Sequence, residues 1–265
     1  MRHWPYPRVA AHRGGGTLAP ENTMAAMRCG FDHGFRAVEF DVMLAQDGVP
    51  VVLHDHRLGR TVPGTAEVAT LTWSQLTAMD AGSWFGAAYC DETVPMFEQV
   101  FRFCSERHIW MNIEIKPSPG TEHQTGHIVA GLAQQWVSAY DENVSLDSPL
   151  HSSLFLLPLL SSFSFDALIA AQTAAPDLPR GWLVDQVPAD WLARLQSIDA
   201  MALHVNQKNL TQALVEQIKT AGFNVFCYTV NDVARAAELF GWGVDALCTD
   251  RLDLIAPGFG CDYVS

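Results

Sequence analysis

Val38-Glu39-Phe40-Asp41-Val42 sets two acids two residues apart inside an apolar, β-favouring run. Successive side chains of a strand point to opposite faces, so Glu39 and Asp41 share one face while Val38, Phe40 and Val42 pack on the other. Paired carboxylates are cheap on a solvated face and costly in an interior unless a cation or base satisfies them. The flanking sequence decides between these settings. Upstream, Arg8 to His12 reads as a short strand running into Arg13 and Gly14-Gly15-Gly16. That backbone is free to approach a ligand, but no Gly-Lys-Ser/Thr follows to make a P-loop. Pro20-Glu21-Asn22-Thr23 starts a helix that ends near Gly34. Downstream, Asp47-Gly48 lies between Val42-Met43-Leu44 and Val49 to Leu53, which is a hairpin signal. Val51-Val52-Leu53 then returns antiparallel and brings His54 back beside Glu39 and Asp41.

Further along, residues 55–94 break into short Gly- and Thr-punctuated pieces, with Leu71 to Met79 the one helix expected there. Residues 45–94 as a whole read as an insertion between the second strand and its helix. Helical spacing resumes at Phe97, Val100, Phe101 and Cys104. Trp110 to Lys116 is the next strand, carrying Glu114 and Lys116, and a helix over 122–139 follows with Ile128, Leu132 and Trp136 on one face. Strands near 157–163, 181–184, 200–205, 223–229 and 244–248 then alternate with helices near 166–175, 188–196, 209–221 and 231–240. Strands followed by helices start near 9, 37, 110, 157, 181, 200, 223 and 244, which predicts a single-domain α/β (β/α)8 TIM barrel over residues 1–265. Chemistry in such barrels sits at the C-terminal strand ends. His12 and Arg13, Glu39 and Asp41, and Glu114 and Lys116 fall at the first three of those ends.

Composition agrees with one large core, since 265 residues with 49% apolar content match the ~250 residues usual for this architecture. A formal net charge of −13 disfavours nucleic acid and anionic membrane surfaces as partners, and an anionic substrate then needs a local basic site. Six cysteines (29, 90, 104, 227, 248 and 261) lack C-x-x-C spacing and read as reduced thiols of a cytoplasmic protein. Met1 to Pro7 has no apolar core of a signal peptide. No membrane span is expected, because Leu154 to Leu160 is too short and is interrupted by Pro158. The oligomeric state is not legible.

Glu39, Asp41 and Glu114 offer hard oxygen ligands from two adjacent strands, a set suited to Mg2+, Ca2+ or Mn2+. A dication with three carboxylates sums to minus one, and Arg13 and Lys116 reverse that sign, enough to neutralise a monoanionic phosphodiester. His12 and His54 supply groups that exchange protons near neutral pH. His54-Asp55-His56 follows a strand, unlike the helical His-Asp pair of one class of metal phosphohydrolases. Trp84-Phe85 reads as a pocket wall or as the small core of the insertion.

The chain resembles the glycerophosphodiester phosphodiesterase family, in particular its cytosolic bacterial form associated with glycerol-3-phosphate uptake. The resemblance rests on His12-Arg13-Gly14 with Ala19-Pro20-Glu21-Asn22-Thr23, Glu39-Phe40-Asp41-Val42, Asp47-Gly48 and Val52-Leu53-His54-Asp55. It continues with Asn112-Ile113-Glu114-Ile115-Lys116-Pro117, Ser161-Ser162-Phe163, Tyr228-Thr229-Val230-Asn231, Gly243-Val244-Asp245 and Thr249-Asp250, so that it spans about Trp4 to Phe259. It implies a TIM barrel with an insertion after the second strand, metal ligands at Glu39, Asp41 and Glu114, catalytic histidines at His12 (base) and His54 (acid), and phosphate-binding bases at Arg13 and Lys116. It also implies hydrolysis of glycerophosphodiesters such as glycerophosphocholine or glycerophosphoethanolamine to sn-glycerol 3-phosphate and an alcohol, by direct water attack or through a cyclic phosphate. Ala45 stands where many members have Thr, and Tyr228 where many have Trp, which bears on head-group or glycerol contacts, with Tyr228 a further pocket-wall candidate. The alternatives are a lysophospholipase D acting on long-chain analogues and a non-catalytic phosphodiester-binding protein.

Overall fold

Strands Val9–His12 (β1), Ala37–Leu44 (β2), Pro50–Val52 (β3), Trp110–Ile115 (β4), Leu159–Ser162 (β5), Arg180–Val184 (β6), Ala202–Asn206 (β7), Asn224–Tyr228 (β8) and Ala246–Thr249 (β9) form one sheet. All but β3 pair in parallel, and the β1 to β2 and β1 to β9 ladders close them into an eight-strand barrel. The computed structural model describes residues 3–143 and 157–260. Cys261 and the apolar residues 154–156 lie outside the described residues.

Helices Met24–Asp32 (α1), Trp73–Leu76 (α2), Phe97–Glu106 (α3), Glu122–Asn143 (α4), Phe165–Ala174 (α5), Trp191–Ser197 (α6), Gln212–Thr220 (α7) and Val233–Gly241 (α8) complete the element set. All but the short α2 follow a barrel strand. Several start where the sequence provides a cap: the side chains of Thr23, Ser164, Thr211 and Asp232 each accept a hydrogen bond from a first-turn amide and so satisfy one orphan donor.

Alternation along the strands sorts the core into an outer and an inner layer. Val38, Phe40 and Val42 of β2 and Met111, Ile113 and Ile115 of β4 pack outward on the helices, with Phe97, Val100, Phe101 and Cys104 of α3. Inside, the lower barrel holds Ala10, Ala37, Trp110, Leu159, Phe226 and Ala246, closed by Trp4 and Tyr6. Tyr6 stacks on Trp110 with centroids 4.4 Å apart, so the aromatic N-terminus plugs the bottom of the barrel.

Two local expectations change. On α4 the buried stripe is Thr125, Val129, Ala133 and Val137, one residue round from Ile128, Leu132 and Trp136. The cause is close helix packing: a Cβ on Gly126 would stand 2.2 Å from the Ala167 carbonyl oxygen of α5, so small residues face the neighbour and the bulky ones flank the contact. Trp136 still packs at the side, its ring 5.0 Å from Phe97 and 5.0 Å from Phe101. The helix expected over 71–79 contracts to the single turn of α2, which begins where Thr72 and Gln75 form a capping box, and a separate 3-10 turn at Val68–Thr70 precedes it.

Between β2 and α3 the chain forms β3, paired antiparallel to β2 with Val42 opposite Val52, and a separate apolar cluster around Val51, Leu53, Val62, Val68 and Leu76. The turn at Asp47-Gly48 puts Gly48 at φ 76°, and the Leu53 amide donates to the Asp41 carbonyl at 3.1 Å. His54 is thereby delivered to the C-terminal end of β2.

His204 of β7 is fully buried, stacked on Phe226 at 4.6 Å, and neither ring nitrogen has a protein partner among the described residues. Burial pushes its pKa down to about 3. Between about 3 and the ordinary 6.5 the unfolded chain binds this proton and the folded one does not, so stability falls as pH drops below 6.5, by about 1.4 kcal/mol per unit. His204→Leu is expected to lose less stability between pH 7.5 and pH 5 than wild type in urea titrations; identical pH slopes would contradict a neutral buried imidazole.

Candidate active site

The β2 to β4 ladder sets Asp41 opposite Glu114, and strand alternation turns Glu39 to the same interior face. One oxygen from each of Glu39, Asp41 and Glu114 lies within 4.8 Å of the others, and all three residues are buried. Burial and the neighbouring Asp41 push Glu39 up to about 8, and the same two causes raise Glu114. Burial also opposes ionisation of Asp41, but Lys116 and Arg13 overcome it and hold Asp41 well below the usual carboxylate range. Three hard oxygens converging in a desolvated place, two of them reluctant to ionise beside the third, fit a divalent cation of the Mg2+, Ca2+ or Mn2+ type.

Two bases converge on this cluster. Lys116 Nζ donates to Glu114 Oε1 at 3.0 Å and to Asp41 Oδ1 at 3.2 Å. Arg13 leaves β1 with φ 50°, a left-handed backbone that is strained for a residue with a side chain. That conformation directs its amide to Glu39 Oε2 at 3.2 Å, while the guanidinium reaches Glu21 Oε1 at 2.7 Å and Asp41 Oδ2 at 3.4 Å. Asn22, also left-handed at φ 57°, donates from Nδ2 to Asp41 Oδ2 at 2.8 Å.

The histidines stand apart in sequence but share one cavity. His12 Nδ1 bonds Asp250 Oδ1 at 2.5 Å, and its Nε2 lies 3.8 Å from Glu39 Oε2. His54 Nδ1 bonds Asp55 Oδ1 at 2.6 Å. Each imidazole therefore has one nitrogen fixed on an aspartate, the arrangement that sets a tautomer and leaves Nε2 for chemistry. Burial alone would lower His12, but Asp250 and Glu39 outweigh it and its pKa is raised. For His54, burial together with Lys116 and Arg13 outweighs Asp41 and Asp55, and its pKa is lowered.

A cavity of about 180 Å³ opens over these groups, lined by His12, Arg13, Glu39, His54, Glu114 and Lys116 and, opposite them, by Phe163, Leu183, Phe226 and Tyr228. Tyr228 holds its place through a hydroxyl that donates to the Val184 carbonyl at 2.9 Å. Trp84 and Phe85 are not in that lining. They meet edge to face at 5.6 Å, Phe85 continues onto Tyr89 at 5.4 Å, and the Trp84 indole donates to the Ala81 carbonyl. Satisfied locally, they form an aromatic cluster of the 45–94 segment and not a wall of the cavity.

Sequence reasoning assigned no role to the groups behind the site. Asp250 is gripped by Asn231, whose Nδ2 donates to Oδ2 at 2.8 Å. Asp55 and Glu21 are joined by Arg60, which donates to Asp55 Oδ2 at 2.7 Å and to Glu21 Oε2 at 2.6 Å. Glu21, Asn22, Asp55, Asn231 and Asp250 all lie in the motifs that carry the resemblance; Arg60 lies in none.

Residues 12–254 match the model of the glycerophosphoryl diester phosphodiesterase family. A glycerophosphodiester phosphodiesterase of Caldanaerobacter subterraneus subsp. tengcongensis is 30% identical over 247 residues, covering 91% of this chain and 93% of that protein. One from Bacillus subtilis is 30% identical over 259 residues, covering 93% and 84%. Among solved structures, an Oleispira antarctica phosphodiesterase in complex with the product sn-glycerol-3-phosphate superposes with a TM-score of 0.83 at 34% identity, covering 95% of this chain and 96% of that one. With the barrel, the buried acids and the paired imidazoles at its mouth, the match places this chain in the glycerophosphoryl diester phosphodiesterase family, as a phosphodiester hydrolase.

Proposed function

We propose that the protein hydrolyses glycerophosphodiesters, such as glycerophosphocholine and glycerophosphoethanolamine, to sn-glycerol 3-phosphate and the free alcohol, with a divalent cation held by Glu39, Asp41 and Glu114. The observation that carries this reading is the convergence of three buried carboxylates, two bases and two aspartate-anchored histidines on one cavity. An ion bound there would polarise a phosphoryl oxygen and offset the charge that develops on it. Arg13 and Lys116 then bind the phosphate, Arg13 as a planar fork and Lys116 as a point charge. Lys116, which in this structure bridges Asp41 and Glu114, is free to turn to the substrate once those carboxylates are engaged.

In-line displacement asks for a base on one side of phosphorus and an acid on the other. By the family resemblance we assign His12 as the base and His54 as the acid; both line the cavity, and they come from different segments, after β1 and after β3. The surroundings of the ion-free site lean the other way: Asp250 and Glu39 raise His12, and burial with Lys116 and Arg13 lowers His54. Glu39's share of that field goes when its charge is spent on an ion, and the resemblance carries the assignment. The 45–94 segment belongs to this single catalytic domain as an insertion that supplies His54. Among the described residues no helix is long and apolar enough to cross a membrane. Cys104, Cys227 and Cys248 are free and buried, which supports a cytoplasmic, reducing setting.

Glu39→Gln is expected to weaken divalent-ion binding by at least the ~10- to 100-fold that loss of an outer-shell partner costs, with turnover of glycerophosphocholine falling alongside. Calorimetric titration of Mg2+ and Ca2+, and assays with and without EDTA, check this. Near wild-type turnover at low metal would make the carboxylates structural.

The histidine roles separate by leaving group. Choline leaves as a poor alkoxide that needs a proton, whereas p-nitrophenolate leaves well without one. His54→Ala is expected to cost ~10²- to 10⁴-fold in kcat/KM with glycerophosphocholine and far less with a glycerophospho-p-nitrophenyl ester, while His12→Ala slows both alike. The opposite pattern would exchange the roles, and retained activity in both variants would refute acid-base catalysis by this pair.

A further inference from the structure

A second cavity of about 290 Å³ adjoins the first and shares Glu114, Lys116 and Phe163 with it. Its remaining lining includes His56, Pro117, Pro119 and Glu122. His56, two residues after the proposed acid His54, lines this space, so the second cavity borders the same segment that carries the acid. Phe163 stands between the cavities, 47% exposed, and meets Tyr228 edge to face at 5.6 Å. Glu122, in the first turn of α4, accepts a hydrogen bond from the Gly120 amide at 3.1 Å and makes no ion pair among the described residues.

The charges of the two cavities differ in a way that suits one kind of molecule. Arg13 and Lys116 supply two cations where the phosphate would lie. Beyond Lys116, the carboxylate of Glu122 and the ring of Phe163 are what a substrate's far end meets. We propose that the second cavity is the subsite for the leaving alcohol, and that it selects small cationic head groups of the ethanolammonium or trimethylammonium type. This rests on the phosphodiesterase reading above and goes further by assigning Phe163 and Glu122 as the residues that meet the head group and discriminate by its charge. A quaternary or primary ammonium two carbons from the leaving oxygen gains a cation-π contact with Phe163 and a Coulombic contact with Glu122, neither of which an uncharged polyol gains.

The test compares kcat/KM for glycerophosphocholine and for glycerophosphoglycerol, a diester of similar reach with a neutral head group. Wild type is expected to favour the choline ester. Glu122→Gln and Phe163→Leu are each expected to lower the choline-to-glycerol ratio on the order of three- to tenfold, the range of one partly exposed cation-π or ionic contact. Phe163→Tyr should restore the ratio, and Glu122→Lys should lower it further, by an amount that shrinks as salt is raised. Equal effects on both esters, or a ratio unmoved by Glu122→Lys, would overturn the subsite while leaving the phosphodiesterase reading intact. Failure of wild type to hydrolyse either ester with Mg2+ or Ca2+ present would overturn that reading and the subsite with it.

Discussion

The mutual repulsion of three carboxylates buried within a few ångströms of one another is the constraint that shapes the rest of the barrel mouth. Glu39, Asp41 and Glu114 lie on the inner face of two adjacent strands, where each needs a donor or a cation. The molecule surrounds them accordingly. Asn22 and Lys116 both donate to Asp41, and Arg13 meets Glu39 through its amide and approaches Asp41 through its side chain. Both Arg13 and Asn22 take left-handed backbone to do so. Such conformations persist where surrounding contacts over-determine them, and here the contacts come from the acids themselves.

The same constraint explains why so much of the molecule behind the site is polar and paired. Glu21 binds both Arg13 and Arg60, and Arg60 in turn binds Asp55, which fixes His54. On the other side Asn231 holds Asp250, which fixes His12. Neither imidazole is left to choose its own rotamer. Groups held this way lose little freedom when a substrate arrives, which is what positioning demands. The hairpin of β2 and β3 serves one of these chains directly, since its ladder to Val52 and the Leu53 amide set where His54 emerges.

Most of this was legible in the chain because the evidence was local. Alternation in Val38 to Val42 and in Trp110 to Lys116 assigns each side chain to a face, and Asp47-Gly48 sets the return of His54. The regular alternation after residue 157 carries the barrel. What could not be read depends on distances across the fold. The burial of α4 follows the small residues that let α5 approach, a fact about a neighbour and not about α4. Arg60 holds Asp55 and reaches Glu21 across 39 residues, with no motif to announce it. Trp84 and Phe85 looked like wall material because bulky aromatics often are, but the backbone of their own segment turns them onto each other and onto Tyr89.

The barrel interior is divided along its axis, and that division separates stability from chemistry. Below, Tyr6, Trp110, Leu159 and Phe226 pack around the bottom, and His204 is kept neutral among them by desolvation alone. Above, His12, Arg13, Glu39, His54, Glu114 and Lys116 each face a charged neighbour, and proton affinities there are set by neighbours as much as by burial. Phe226 and Cys248 belong to both layers, lining the cavity from below while packing into the plug. Protonating His204 therefore strains the lower packing without placing a charge among the catalytic groups. Changes in the acid cluster act on the upper layer, where charge and not packing is what has to balance.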